Sequence, residues 1–415
     1  MIAAFIKKLT DSYNAYPRQF WLMFWGMLIS TMGMSMVWPF LLVYARGRLE
    51  LPLTTVASLF TISSVMGILS SLVGGPVIDR FGRKWVMVIS LVLNGVGYFL
   101  LSRASTFGEF ALIMGLNGTI NPLYRVAADA MMADLIPEAQ RPDAYSIQRM
   151  ANNIGISLGP LLGGVLAAIS YSIIFALAAA GLAFYGALVL LFAVETLPPQ
   201  ARDAASRPAR DPFGGYGKVL SNLPFMGMVG GFITATICAA VIWVLLADYS
   251  MTNYGVTAGQ YSWIPATNAL MVVFFQLAVT QVTKRFRPLL MMAAGAFFYG
   301  LADLSIALSG AFWGFWLSMV IMTVGELALV PTSSTFAAKL APVDQRARYM
   351  SLYGLSWNVA SGIGPVFGGL LSDNFGPKMI WYGGALAGLV AVAGFLWMDR
   401  YYRAAENPIP ENRPV

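Results

Sequence analysis

Glu326 stands inside an apolar run, Val324-Gly-Glu-Leu-Ala-Leu-Val-Pro331, with no cationic residue between it and Lys339. A lone ionisable group in hydrocarbon is expensive, and where one persists it marks a functional site by default. Such a carboxyl can take up and release a proton, which makes Glu326 the first candidate for proton exchange. The alternative is a neutral acid that merely hydrogen-bonds inside the protein. A second apolar run carries Asn117, Asn121, Arg125 and Asp129 at successive four-residue steps, one drifting stripe on a helix. That stripe suits the wall of a polar cavity. Arg125 and Asp129 could bind substrate and a proton there, or pair with each other at i, i+4, with Arg149 as a further partner. Gln148 and Asn152, again four apart, are candidate substrate ligands beside them.

The chain has no histidine, the residue that ordinarily titrates near neutrality, so proton movement falls to carboxylates such as Glu326 and Asp129. Its one cysteine, Cys238, excludes an intramolecular disulfide framework and a cysteine metal cluster. There is no phosphate-binding loop, metal-ligand cluster or nucleophile with a histidine base. The expectation is therefore no enzyme, no metal and no cofactor, with a proton gradient as the energy source.

The elements that hold these residues are membrane helices. Hydrophobic residues make up 58% of the chain and charged ones 11%, more apolar than an ordinary soluble domain. Stretches able to cross roughly 30 Å of hydrocarbon run over residues 20–43, 54–78, 85–102, 107–133, 144–169 and 171–194. Six more occupy 223–249, 259–282, 289–309, 311–337, 347–371 and 378–398. With both termini cytoplasmic, Arg46, Arg48, Arg103 and Lys378 are the basic residues of the outside loops, and most of the 26 Lys and Arg fall inside, as the positive-inside rule requires. The net charge of +7 then reflects topology and attraction to lipid headgroups, with no nucleic-acid partner. The N-terminal stretch with Lys7, Lys8 and Asp11 lacks the pattern of a removable signal peptide.

The two sets of six are related. Gly159-Pro160-x-x-Gly163-Gly164 returns 205 residues later as Gly364-Pro365-x-x-Gly368-Gly369, and Gln140, Arg141, Ser146 and Asn153 return as Gln345, Arg346, Ser351 and Asn358. Each half is one structural repeat. The predicted fold is an all-α membrane protein, twelve transmembrane helices in two pseudo-symmetric six-helix bundles: residues 1–195, a cytoplasmic linker at 196–222 rich in Pro and charge, residues 223–400, and a flexible cytoplasmic tail at 401–415.

Two motifs speak to movement. After the second segment comes Gly75-Pro-Val-Ile-Asp79-Arg80-Phe-Gly82-Arg83-Lys84. Gly75 is expected to let a neighbouring helix approach closely, and Gly82 to take the positive φ of a tight turn. Arg80, Arg83 and Lys84 are expected to hold the loop at the headgroups. Asp79, disfavoured by its own helix dipole, would gain most by facing another helix N-terminus, such as that of the eleventh segment near Arg348. The fifth segment carries Gly155-x-x-x-Gly159-Pro160-x-x-Gly163-Gly164, whose glycines leave a groove for close helix contact while Pro160 favours a bend. Ordinary small-residue packing is the plainer reading of that stripe.

The loop pattern and the duplicated six helices resemble the major facilitator superfamily over essentially the whole membrane chain, and the fifth-segment motif is similar to one associated with its proton-coupled antiporters, chiefly drug exporters. The resemblance implies a cytoplasmic charge lock made by the loop's Asp and Arg residues with an acid at the end of helix four, here Asp134. Lys284-Arg285-Phe286-Arg287 lacks the Asp and the second Gly, so the lock is expected in the first half alone. A helix-ten carboxylate like Glu326 also resembles some multidrug antiporters of the family, whereas the early helix-four basic residue of many is replaced here by Met114 and Gly115. Helix nine usually lies outside the cavity in this family, so Asp303 is expected to pair locally or reach the outer interface.

Trp38, Trp243, Trp263, Tyr353 and Trp357 are aromatic cavity candidates that could stack on lipophilic or cationic compounds, although aromatic belts at the interfaces account for most membrane Trp. The function expected is a proton-coupled exporter of small lipophilic or cationic compounds, monomeric in the cell membrane, working by alternating access. A proton-coupled carrier of a defined sugar, organic anion or lipid is the nearest alternative, and a non-transporting membrane sensor a more distant one.

Overall fold

A computed structural model describes residues 16–197, 216–342 and 345–406. The basic N-terminal stretch, the prolines and arginines of the linker between 198 and 215, and the tail beyond 406 lie outside the described residues. All regular structure among the described residues is helical. In the first half, α1 (Arg18–Val37) passes through a 3₁₀ turn into α2 (Leu41–Leu49), followed by α3 (Leu53–Phe81), α4 (Arg83–Leu101), α5 (Phe107–Leu135), α6 (Arg141–Ala167) and α7 (Tyr171–Phe192). A short α8 (Tyr216–Leu220) leads into α9 (Leu223–Tyr254), α10 (Ala258–Tyr261), α11 (Trp263–Thr283), α12 (Pro288–Leu308), α13 (Phe312–Leu340), α14 (Arg346–Phe375) and α15 (Met379–Glu406).

Local sequence sets these boundaries. Thr106 and Glu109 form a reciprocal capping box at the start of α5, satisfying two backbone donors that a helix start leaves open. Asn222 accepts from Phe225 N at the start of α9, and Gly255 ends that helix in the left-handed conformation with φ 65°, which glycine adopts without steric cost. Pro122, Pro160, Pro331 and Pro365 stand inside α5, α6, α13 and α14, where each removes a backbone donor.

Ten helical stretches among the described residues are long and apolar enough to cross a membrane. The expected fourth and eleventh segments form α5 and α14, helices of similar length outside that group. The polar stripe on α5, and the serines, glycines and Asn358 through the middle of α14, account for the lower apolar content. Large apolar side chains such as Leu112, Val165, Phe274, Leu277 and Leu386 are exposed, the composition of a surface that meets lipid.

The chain forms two compact units. The first comprises Met1–Leu49, Ile62–Arg210 and Thr257–Ala266, and the second Glu50–Thr61, Asp211–Val256 and Thr267–Val415. The first has a core of Phe20, Met87, Leu91, Met131, Tyr185 and Val189. In the second, Phe225, Phe232, Tyr249, Tyr299, Phe315 and Trp381 are fully buried. Burying such apolar and aromatic bodies is worth about 1.5–3 kcal/mol each relative to water, so helix packing inside lipid relies more on close fit than on this term.

Candidate functional site

Close fit is most evident where α6 meets α1. A Cβ on Gly155 would stand 2.9 Å from Thr31 Cβ, one on Gly159 2.8 Å from Met32 O, and one on Gly163 2.6 Å from Met36 O. Only glycine permits this approach, and Ser35 Oγ donates across it to Gly155 O at 2.9 Å. Gly164 faces another neighbour, Ser262 and the carbonyl of Ala258, both in the same unit.

Beside this seam α1, α5 and α6 line an open cavity of about 670 Å³. From α5 it receives Asn121, Tyr124, Arg125 and Asp129, and from α6 Tyr145, Gln148, Arg149 and Asn152. Met27, Met34, Ala128 and Ile156 supply apolar wall. Thr31 Oγ1 donates to Asn152 Oδ1 at 3.3 Å, and the Tyr145 hydroxyl donates to the backbone oxygen of Asp129 at 3.2 Å. Gln148 is buried with its amide nitrogen and oxygen both without hydrogen-bond partners.

Arg125 and Asp129 are both exposed on the α5 stripe and form no ion pair within 4 Å among the described residues, although Asp129 lies in the field of Arg125. Arg149 makes no ion pair among them either. The cavity therefore presents two guanidinium groups and one carboxylate, a net excess of one positive charge. Guanidinium forks favour bidentate contact with carboxylates and phosphates.

Asn117, expected on the same wall, does not reach it. Its amide is packed toward Gly97 of α4, and its oxygen is buried without a partner. An exact four-residue step drifts around a helix of 3.6 residues per turn, so the first member of the stripe has left the cavity face.

In the second unit, Glu326 of α13 is partly buried. Asn268 Nδ2 from α11 lies 2.7 Å from Glu326 Oε2 and 3.0 Å from Thr323 Oγ1, and Thr323 Oγ1 is anchored on Met319 O at 2.7 Å. Gln276, also on α11, donates to Leu327 O at 3.2 Å. The Asn268 amide, itself braced by Thr323, thus holds Glu326, with no cation paired to it among the described residues. Sequence spacing missed Asn268, because the partner comes from another helix.

Of the aromatic candidates, Tyr353 is buried, its hydroxyl 2.8 Å from Ser333 Oγ and its ring 5.1 Å from Phe232. Trp357 meets the same Phe232 edge-on at 5.8 Å, and Trp243 is partly buried. Trp38 and Trp263 are 41% and 55% exposed and do not line the cavity of the first unit.

At the α3–α4 turn, Gly82 has φ 91°. Arg83 is buried, with Nη1 3.2 Å from Asp79 Oδ1 and Nε 3.1 Å from Asp134 Oδ2. Asp79 thus meets a cation one turn along its own loop. Arg80 lies exposed over the Phe81 ring. Glu195, absent from the sequence expectations, completes the cluster. Its carboxylate accepts from Arg83 N at 3.0 Å and Lys84 N at 3.1 Å, capping the N-terminus of α4, where its negative charge also meets the favourable end of the helix dipole. Thr196 Oγ1 donates to Asp134 Oδ2 at 3.1 Å.

Three expectations need correction. Gly75 is exposed and a Cβ there would meet open space, so it does not serve close helix approach. The second half does have an ion pair from its corresponding loop, Arg287 Nη1 to Asp399 Oδ2 at 2.8 Å, because an acid at the end of α15 replaces the missing loop carboxylate. Asp303 does not reach the outer interface, and its local neighbour is the Cys238 thiol of another helix. It is fully buried, with no hydrogen-bond partner on either oxygen.

A family model described as Major Facilitator Superfamily matches residues 23–247 and 228–414. The chain is 27% identical to a Na(+), Li(+), K(+)/H(+) antiporter of Planococcus maritimus, over 88% of this chain and 92% of that protein. It is 25% identical to the multidrug resistance protein MdtH of Salmonella typhimurium, over 80% and 81%. Among solved structures, a POT family transporter in complex with a thioalcohol conjugated peptide is similar in fold, with a TM-score of 0.76 at 18% identity over 94% of this chain and 97% of that one.

Proposed function

Because the chain belongs to the major facilitator superfamily and is a multi-pass membrane transporter of that kind, we propose that it is a proton-coupled antiporter that exports small lipophilic compounds by alternating access. The observation that carries this reading is Glu326, an intramembrane carboxyl held, among the described residues, by Asn268 alone of the side-chain donors and by no counter-cation. Such a carboxyl can exchange a proton as its surroundings change between states. The relatives named as a cation/H(+) antiporter and a multidrug resistance protein are consistent with it. The proposal includes a proton gradient as the energy source with no cofactor, a monomer, and placement in the cell membrane with cytoplasmic termini.

The cavity favours a second reading of the cargo. Arg125 and Arg149 outnumber Asp129, while Tyr124, Met27 and Met34 supply apolar contact, so compounds with an anionic group on a lipophilic body fit better than bare cations. The test is protein in liposomes carrying an internal pH dye, challenged with aromatic carboxylates and with lipophilic cations of matched size. Carboxylate-evoked proton movement that weakens about tenfold in Arg125→Gln, a loss of about 1.4 kcal/mol of binding, supports the anionic cargo. A response to cations alone, indifferent to Arg125→Gln, supports the cationic one. No proton movement with either class counts against proton coupling.

A further inference from the structure

Asp303 has no place in the site described so far. It lies on α12 at 0% exposure, and neither oxygen makes a hydrogen bond. Helix packing puts it there. A Cβ on Gly300 of α12 would lie 3.2 Å from Gly388 Cα of α15, and one on Gly384 would run into the Asp303 carboxyl. Glycines therefore let the two helices close over the acid and leave α15 no side chain at Gly384 to answer it.

Two other protic groups share this interior. Cys238 of α9, buried, donates its thiol to Gly384 O at 3.2 Å and lies within interaction distance of the Asp303 carboxyl. Tyr299, one turn before Asp303 on α12, is buried with its hydroxyl unpartnered, and it lies in the field of both Glu326 and Cys238. Its ring borders Gly325, the residue before Glu326.

The helices packed on α12 thus present Cys238 from α9, Glu326 by way of Tyr299 from α13, and Gly384 from α15. Their other charged side chains, including Asp248, Lys339, Asp399 and Arg400, stand toward helix ends. Asp303 meets no cation among the described ion pairs, and burying a bare carboxylate in that setting is strongly unfavourable. An acid that served packing alone could be replaced by a similarly shaped amide, whereas this acid lies beside the Cys238 thiol, and the Tyr299 phenol lies in the field of that thiol and of Glu326, a chain of groups through which the two acids can communicate.

We propose that Asp303 is a second exchangeable proton site, coupled to Glu326 across Tyr299 and Cys238 within the second unit. This inference rests on the reading of Glu326 as a proton-exchanging carboxyl. In an exchange, the proton leaves the Asp303 hydroxyl for water when the transport cycle admits it, and returns from water to the same carboxylate.

Infrared spectroscopy of the purified full-length protein, followed from acid to alkaline pH in H₂O and D₂O, reads protonated carboxyls directly. The expected result is two titrating components, one absent in Asp303→Asn and the other absent in Glu326→Gln. In Glu326→Gln the Asp303 component should shift its midpoint by about one pH unit, and Tyr299→Phe and Cys238→Ala should each alter that coupling. Should Asp303→Asn fail to fold, ¹³C-aspartate labelling assigns the component in the intact protein. An aspartate component that never titrates or exchanges deuterium overturns the proposal and leaves Glu326 untouched. A Glu326 component that does not titrate defeats the earlier reading, and with it the coupling. Two components that titrate independently overturn the coupling alone.

Discussion

The same duplicated framework holds opposite chemistry in its two units. In the first, Arg125 and Arg149 make no ion pair among the described residues and share a cavity with one carboxylate, Asp129. In the second, Glu326 and Asp303 stand without a cation among the described residues, one held by an amide and the other beside the Cys238 thiol. The 205-residue offset makes the divergence specific, since Asn121 of the cavity corresponds to Glu326 and Tyr98 to Asp303. Duplication supplied equivalent helix positions, and substitution then placed a cationic cavity in one unit and buried or half-buried carboxyls in the other, which the proposed function assigns to substrate binding and to proton exchange.

The glycine seams offer the most severe way to probe this comparison. Gly159→Leu forces a side chain against Met32 O and Ser35 in the first unit, and overpacking of this kind should cost about 3 kcal/mol, measured as a fall in thermal stability in detergent. At the equivalent Gly364, a Cβ would find Ala240 Cβ at 3.0 Å and Ile237 O at 3.3 Å, so the same substitution should cost less. Equal losses would mean that the two seams are equally tight.

The loop ion pairs come next. Arg83→Ala leaves Asp79 and Asp134 facing one another without their buried cation. A loss of about 2 kcal/mol is expected, below the full value for a buried pair because Asp79 is half-exposed. Glu195→Ala removes the acceptor of two backbone donors at the start of α4 and should cost about 1 kcal/mol, the usual worth of a cap. Arg287→Ala breaks a pair whose arginine is 45% exposed, and about 0.5 kcal/mol is expected. Chemical denaturation of the three variants orders them, and an Arg287→Ala loss larger than that of Arg83→Ala would reverse the ranking.

Much of the fold was legible in the sequence because lipid imposes a simple rule, long apolar helices, and because Gly159-Pro160 and Gly364-Pro365 reveal the repeat. The glycine stripe on α6 was equally legible, since glycines at i, i+4 and i+8 share a face. The site was legible only within single helices. Arg125 and Asp129 could be placed on one stripe, but whether they pair depends on side-chain directions that spacing does not fix. Asn268 and Cys238 reach Glu326 and Asp303 from other helices, so no local pattern announces them. Glu195 left a faint signal, an acid just past the sixth segment, whose repeat equivalent Arg400 adjoins Asp399. Gly75 was misread because its spacing in the motif does not say which face of α3 meets a neighbour. Asp303 was misread because the position usual for helix nine in the family stood in for its actual neighbours, two glycine contacts that bury it.

The division of labour between the units is tested most directly by comparing two transport modes in liposomes bearing Glu326→Gln. Accumulation driven by an imposed proton gradient should fall to background, while counterflow of a labelled aromatic carboxylate against unlabelled compound should persist, because the cavity with Arg125 and Arg149 is intact and no net proton need move. Gradient-driven accumulation undiminished in Glu326→Gln would contradict the account and remove Glu326 from coupling.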